Sequence, residues 1–251
     1  MMSKLWTWSL RIGTVFLVSC LIVLFGYSAN KSLVIMEEEN QEGMGNLDEL
    51  TQAILAEKEQ YDFVVIVNPA HGGSNLGNVV NDLQEKKITL EVGAALEELV
   101  EEGEIGVFVI RNEDTDISNE SRGELIKAVE PDLVVDLHVN ADPENERTLG
   151  TAVIYNENFY FRKMTNARFA DIMERQLVTV ISGKANGIFP DKEGKYPLLA
   201  MCQVPAVSIE MGYLTNADEA ALLKSREYQE KLASGIYQGI LQVREEMRKD
   251  E

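Results

Sequence analysis

Five apolar runs of strand length, separated by segments long enough to be helices, set the fold class of this chain. They span 63–67, 105–110, 133–138, 151–155 and 204–209. Several are apolar at consecutive rather than alternate positions, the pattern of strands covered on both faces. Helical patterns fall at 85–102, 117–129, 159–182 and 225–248. The order β-α-β-α-β-β-α-β-α predicts an α/β domain. Its sheet should be mixed, mostly parallel and twisted, with about five to six strands and helices on both faces. Ligands of such sheets gather beyond the carboxyl ends of the strands.

The residues with chemistry to offer sit at those ends. The chain has only two histidines. His71 stands in Asn68-Pro69-Ala70-His71-Gly72-Gly73, directly after the first run, and His138 closes the run Leu133-Val134-Val135-Asp136-Leu137-His138. A chain this poor in histidine places both where a sheet binds ligands. Neutral imidazole is a common zinc ligand, and a catalytic zinc takes three protein ligands plus a water, so one carboxylate would complete the set. Glu85 opens a helical pattern, and Glu210 closes the run that begins at Val204. A glutamate at the end of an apolar strand is costly to bury without a partner. For Glu85 a plainer reading competes, because an acid in a first helical turn complements the helix dipole.

A length of 251 residues suits one α/β domain with an N-terminal extension. The net charge of −19 lacks the basic stripe of a nucleic-acid binder, so no nucleic-acid partner is expected. Lys4 and Arg11 precede an uncharged run from Ile12 to Tyr27, and Glu37-Glu38-Glu39 follows it. That order places the bulk of the chain outside the cytoplasm. Residues 1–28 therefore read as a membrane anchor or signal segment. The run is shorter than the roughly 20 residues of a spanning helix and longer than the about 7–15 of most signal cores. An uncleaved single-pass anchor is favoured over secretion after cleavage near Gly26-Tyr27-Ser28. A lipobox at Leu17-Val18-Ser19-Cys20 is disfavoured by the apolar run continuing to Phe25. Residues 29–60 read as an acidic linker, too polar to pack firmly, with a short helix near Leu47 to Lys58. The domain proper is expected at 61–251 and is expected to be monomeric. Cys20 and Cys202 are the only cysteines, so no intrachain disulfide is expected, and Cys202 reads as a small buried residue.

Taken together, the stretch from Phe63 to the C-terminus resembles the zinc-dependent N-acetylmuramoyl-L-alanine amidases, bacterial cell-wall hydrolases. In that family a strand ends in Asp-Pro-Gly-His-Gly-Gly, here Asn68 to Gly73. A Glu-Lys pair opens the first helix, here Glu85-Lys86. An Arg with an Asp three residues later closes the next strand, here Arg111 and Asp114, and a further Arg precedes the third strand, here Arg122. A Ser-hydrophobic-His-x-Asn-Ala motif corresponds to Asp136 through Ala141, and Pro-Ala-Val…Glu-x-Gly…Asn to Pro205 through Asn216. The resemblance implies that His71, Glu85 and His138 hold one Zn2+ per domain and that Glu210 is the catalytic acid/base. It implies peptidoglycan as substrate, cut between N-acetylmuramic acid and the L-alanine of the stem peptide. Arg111, Asp114 and Arg122 are expected as loop anchors rather than catalysts.

The chain also departs from the pattern. Asn68 and Ala70 replace Asp and Gly, Asp136 replaces a small residue, and the Arg that usually follows Asn186 is missing. One hypothesis is that a carboxylate supporting the metal site has moved from position 68 to 136, because metal-bound histidines commonly need an acceptor for their other ring N–H. Some relatives carry a helix between the second histidine and the last glutamate that plugs the site. Here one strand, one helix and a loop fill that interval and leave no room for one. The domain from Tyr61 is thus expected to act without a partner, and loss of 29–60 to change its rate little. Two other functions stay open on sequence alone: a non-catalytic peptidoglycan-binding protein of this fold, and a zinc peptidase acting within the stem peptide.

Overall fold

The computed structural model describes residues 47–100, 105–159, 161 and 163–249. The anchor or signal segment expected at 1–28, and the linker as far as residue 46, lie outside them. Among the described residues no helix is long and apolar enough to cross a membrane.

Residues 47–57 form the first helix, α1, which tightens into a 3-10 turn at Lys58–Gln60. Leu47, Leu50 and Ile54 recur at helical spacing, so one stripe faces inward. Leu47 and Ile54 are buried there at 5% and 1% exposure. The compact unit accordingly includes this helix. The expectation of a linker too polar to pack is corrected for this stretch, and cutting the chain at Tyr61 would remove two core side chains.

Among the described residues the main sheet has six strands, in the order β4 (Ile105–Val109), β1 (Phe63–Pro69), β5 (Leu133–Asn140), β8 (Ala206–Tyr213), β6 (Thr151–Tyr155) and β7 (Ala185–Pro190). β1, β4, β5 and β8 run parallel. β6 lies antiparallel to β8, and β7 is parallel to β6 at the edge. A small hairpin of β2 (Val79–Val80) and β3 (Leu83–Gln84) precedes α2 (Glu85–Leu99). The remaining helices are α3 (Asn119–Val129), α4 (Asn166–Ile181), α5 (Pro197–Met201), α6 (Ala217–Leu223) and α7 (Arg226–Lys249). The mixed, mostly parallel sheet with helices on both faces is thus the architecture expected from the pattern.

Three local features differ from the expectation. β7 is half-exposed along most of its length, so it lacks the apolar run that marks the central strands. α4 begins at Asn166 because the Thr165 hydroxyl caps it, accepting from Arg168 N at 3.1 Å. Phe159 and Phe161, expected early in that helix, precede it and stack on each other at 6.4 Å. Finally, β5 and β8 continue past His138 and Glu210, with a register irregularity between His138 and Asn140. Such a bulge re-aims side chains at a strand end.

Side chains alternate across the pleat. One face of the central strands carries Val65, Val67, Val135, Leu137, Val207 and Ile209, packed in one core with residues of α2, α4 and α7. The other carries Val64, Ile66, Val134 and Ala206 against α1, α3 and α5. Further along that second face the same strands present Asn68, Asp136, His138, Ser208 and Glu210.

Candidate active site

Strand register brings the polar residues together. Asn68 pairs with Asp136, Asp136 with Ser208, and His138 with Glu210 across β1, β5 and β8. Glu85, at the first turn of α2, reaches this corner from the other side of the sheet and is 2% exposed.

One carboxylate oxygen lies between the two imidazoles: Glu85 Oε1 is 3.1 Å from His71 Nε2 and 2.9 Å from His138 Nδ1. The ligand atoms of His71, Glu85 and His138 all lie within 4.8 Å of one another. Their outward atoms are already engaged. His71 Nδ1 meets Asn75 Oδ1 at 2.9 Å, and Glu85 Oε2 accepts from Asn78 N at 2.7 Å. His138 Nε2 faces Asp136 Oδ2 at 3.1 Å. Three donors converge inward while their far sides are fixed, the arrangement that orients metal ligands. The residues present therefore fit a divalent metal, and the donor set matches a known catalytic zinc shell. Electrostatics agree. Burial alone would raise the Glu85 carboxyl, yet hydrogen bonds from His138 and His71 and their charge hold it well below the ordinary carboxylate range. Burial would lower His138, but Asp136 and Glu85 raise it well above its usual value. The corner is built for positive charge.

Asp136 is 2% exposed and accepts from Asn68 Nδ2 and Ser208 Oγ, each at 2.7 Å. A buried carboxylate thus supports the second histidine, not the first, and the acid at 136 is bonded to side chains rather than only to nearby backbone. Asn68 is held in turn by Arg122 Nη1.

The loop bearing His71 is clamped by cations. Arg122 donates to Pro69 O at 2.9 Å and His71 O at 2.7 Å, and Arg111 to Ala70 O at 3.3 Å while tying the loop to Lys86 O of α2 at 2.9 Å. Lys86 bridges Gly73 O and Asp114 Oδ2 at 2.7 Å each, and Asp114 Oδ1 accepts from Gly73 N at 2.9 Å. Both arginines are 1% exposed. Arg111, Asp114 and Arg122 are loop anchors, bonded to backbone groups and to Lys86. The clamp holds His71 at φ 63, a left-handed conformation uncommon for a residue other than glycine. Gly77 is required at φ +65, where a Cβ would come within 2.6 Å of Glu85 Oε2 and 2.7 Å of His71 Cδ2.

Beside the cluster lies Glu210, 5% exposed. Its Oε1 accepts from the Tyr196 hydroxyl at 2.6 Å, while its buried Oε2 has no hydrogen-bond partner among the described residues. Burial pushes this carboxyl up to about 7, against the pull of His138 and the Tyr196 bond. Tyr196 also packs edge-on against His138, with centroids 5.4 Å apart. Sequence reasoning missed Tyr196, whose only local signal is its place before Pro197 at the start of α5. It missed Asn75, Asn78 and Ser208 for the same reason: each matters through a partner distant in fold rather than through a motif. A cleft of ≈ 460 Å³ beside this corner is lined by Tyr196 together with Asn140, Ile154, Phe189, Lys192 and Tyr213.

Fold and site together define a hydrolase-like α/β domain with a two-histidine, one-carboxylate cluster at its strand ends. A family model described as N-acetylmuramoyl-L-alanine amidase matches residues 65–242. The germination-specific N-acetylmuramoyl-L-alanine amidase of Bacillus subtilis is 30% identical over 194 residues, covering 71% of this chain and 78% of that protein. The N-acetylmuramoyl-L-alanine amidase structure from Clostridium difficile 630 superposes with a TM-score of 0.67 at 27% identity, covering 73% of this chain and 97% of that one. The catalytic domain of CwlV from Bacillus (Paenibacillus) polymyxa shares the fold, with a TM-score of 0.65 at 24% identity over 73% of this chain and 98% of that one. The chain belongs to the N-acetylmuramoyl-L-alanine amidase family and is an enzyme of that class.

Proposed function

We propose that this protein uses zinc to hydrolyse the amide between the lactyl carbonyl of N-acetylmuramic acid and L-alanine of the stem peptide in peptidoglycan. The observation that carries the reading is the convergence of His71, Glu85 and His138 beside a buried glutamate, one oxygen of which has no partner among the described residues. His71, Glu85 and His138 would hold one Zn2+, which when bound supplies Lewis acidity, polarising the scissile carbonyl and acidifying water. Glu210 takes a proton from the attacking water through Oε2 as the oxygen–carbon bond forms. It returns that proton to the alanine nitrogen as the carbon–nitrogen bond breaks, so the products are a free lactyl carboxyl and a free amine. Asp136 keeps the His138 ring in one orientation, and the Arg111–Arg122 clamp fixes the carbonyls behind His71. The cleft running from Tyr196 toward Phe189 gives an extended substrate a path to Glu210. Residues 1–28 would anchor the domain at the outer face of the cytoplasmic membrane, as a monomer.

Digestion of purified cell wall by the zinc-loaded protein, with mass analysis of the fragments, tests the reading. Peptides with free N-terminal alanine and sugars with free lactyl carboxyls are expected. Fragments cut inside the stem peptide would make it a peptidase instead, and binding without release a wall-binding protein.

A further inference from the structure

The metal cluster does not explain why a buried glutamate should have one oxygen satisfied and the other bare. Glu210 sits inside β8, pinned by its backbone between His138 on β5 and Ala152 on β6. Its side chain can still turn about its last bond, and either oxygen could face the reacting atoms. The Tyr196 hydroxyl removes that choice by donating to Oε1 at 2.6 Å, a length typical of a charge-assisted O–H···O⁻ bond. The tyrosine is itself held from three sides. Asp191 accepts from Lys195 N at 2.9 Å and from Tyr196 N at 3.1 Å, knotting the loop before it. Pro197 follows and restricts the backbone. The ring packs edge-on against His138.

We propose that Tyr196 is a positioning residue for the amidase reaction: its hydroxyl fixes Glu210 through Oε1 so that Oε2 is the oxygen that carries the proton. This rests on the reading of Glu210 as the proton carrier. The hydroxyl donates throughout and changes no bond in the reaction; it sets which lone pair faces the water. Without it, Glu210 would divide its time between two orientations and lose a donor that stabilises its ionised form.

Tyr196→Phe keeps the ring on His138 and removes only the hydroxyl. The full zinc-loaded chain, assayed on a soluble muropeptide, should lose about tenfold in kcat, the size of one hydrogen bond to a charged group. KM and zinc stoichiometry should stay within about twofold of the parent. A kcat within twofold of the parent overturns the proposal. So does a KM rise beyond twofold, which would show that the hydroxyl binds substrate, or a loss of zinc, which would make it a support for His138. If the Phe variant failed to fold, Asp191→Asn, which loosens the loop and leaves the tyrosine in place, should lower kcat severalfold at constant KM, and an unchanged kcat there would overturn the proposal. Glu210→Gln is assayed alongside. If it keeps parental turnover, the proton-carrier reading fails. If it is inactive while Tyr196→Phe is unimpaired, only the positioning role fails.

Discussion

The two faces of the central sheet are built from alternate residues of the same strands and end in opposite ways. Beneath α2, α4 and α7, positions 65, 67, 135, 137, 207 and 209 are apolar and 0% exposed, with no break toward the strand ends. On the opposite face Val64, Ile66, Val134 and Ala206 are equally buried, but the next positions along are Asn68, Asp136, His138, Ser208 and Glu210. Burial is nearly the same on both faces; what changes is how it is made tolerable. The apolar face needs only shape. The polar corner needs a partner for each atom, because an unpaired buried polar group costs about 1–3 kcal/mol and a charge more. Asp136 meets that demand with His138, Ser208 and Asn68, and Glu85 with both histidines and Asn78. Among the described residues of this corner, Glu210 Oε2 has no such partner. Apolar packing is thus shared by both faces, and chemistry is confined to the corner of one.

Substitutions on the two faces should separate accordingly. Chelation, or His138→Ala, should remove the zinc and bring hydrolysis to background; full metal content in the alanine variant would refute the ligand assignment. Glu210→Gln should keep its zinc and lose turnover by about 10²–10⁴-fold, as for other positioned acid/base groups. Activity within a factor of two of the parent would remove it as the proton carrier. Asp136→Asn should weaken zinc affinity by about 10–100-fold, the usual loss when a ligand's supporting group is changed. Titration with a zinc-competing chelator measures this directly, and unaltered affinity would show that His138 needs no such support. Leu137→Ala, one residue from both Asp136 and His138 but pointing the other way, should leave zinc affinity and the kcat of folded protein unchanged. It should instead cost about 2–5 kcal/mol in denaturant unfolding. A loss of zinc affinity there would show that the two faces are coupled.

Much of the fold was legible because burial leaves a local imprint. The runs at 63–67, 133–138 and 204–209 carry apolar residues on both faces, and that marks central parallel strands without any knowledge of their neighbours. His71, His138 and Glu210 could be singled out because strand ends are where such sheets bind ligands, and Glu85 because the family resemblance pointed to it. Edge strand β7 left little trace, since an edge needs no continuous apolar run and Asn186-Gly187 reads as a turn. The helix α1 was legible near Leu47 to Lys58 but its packing was not, because three inward residues, Leu47, Leu50 and Ile54, are diluted by acids on its outer side.

The sequence alone determined the class of sheet, the small set of residues able to ligate or carry protons, and their placement near strand ends, because these follow from periodicity and residue chemistry within a few neighbours. Only the tertiary structure decided the partnerships. That Asn68 and Ser208 hold Asp136, that one Glu85 oxygen lies between two histidines, and that Tyr196 holds Glu210 depend on strand register, on how α2 packs and on a loop folding back over the strand ends. His138 and Glu85 are 53 residues apart in the chain. Contacts at that separation are set by how helices and strands pack as whole elements, which no local pattern encodes.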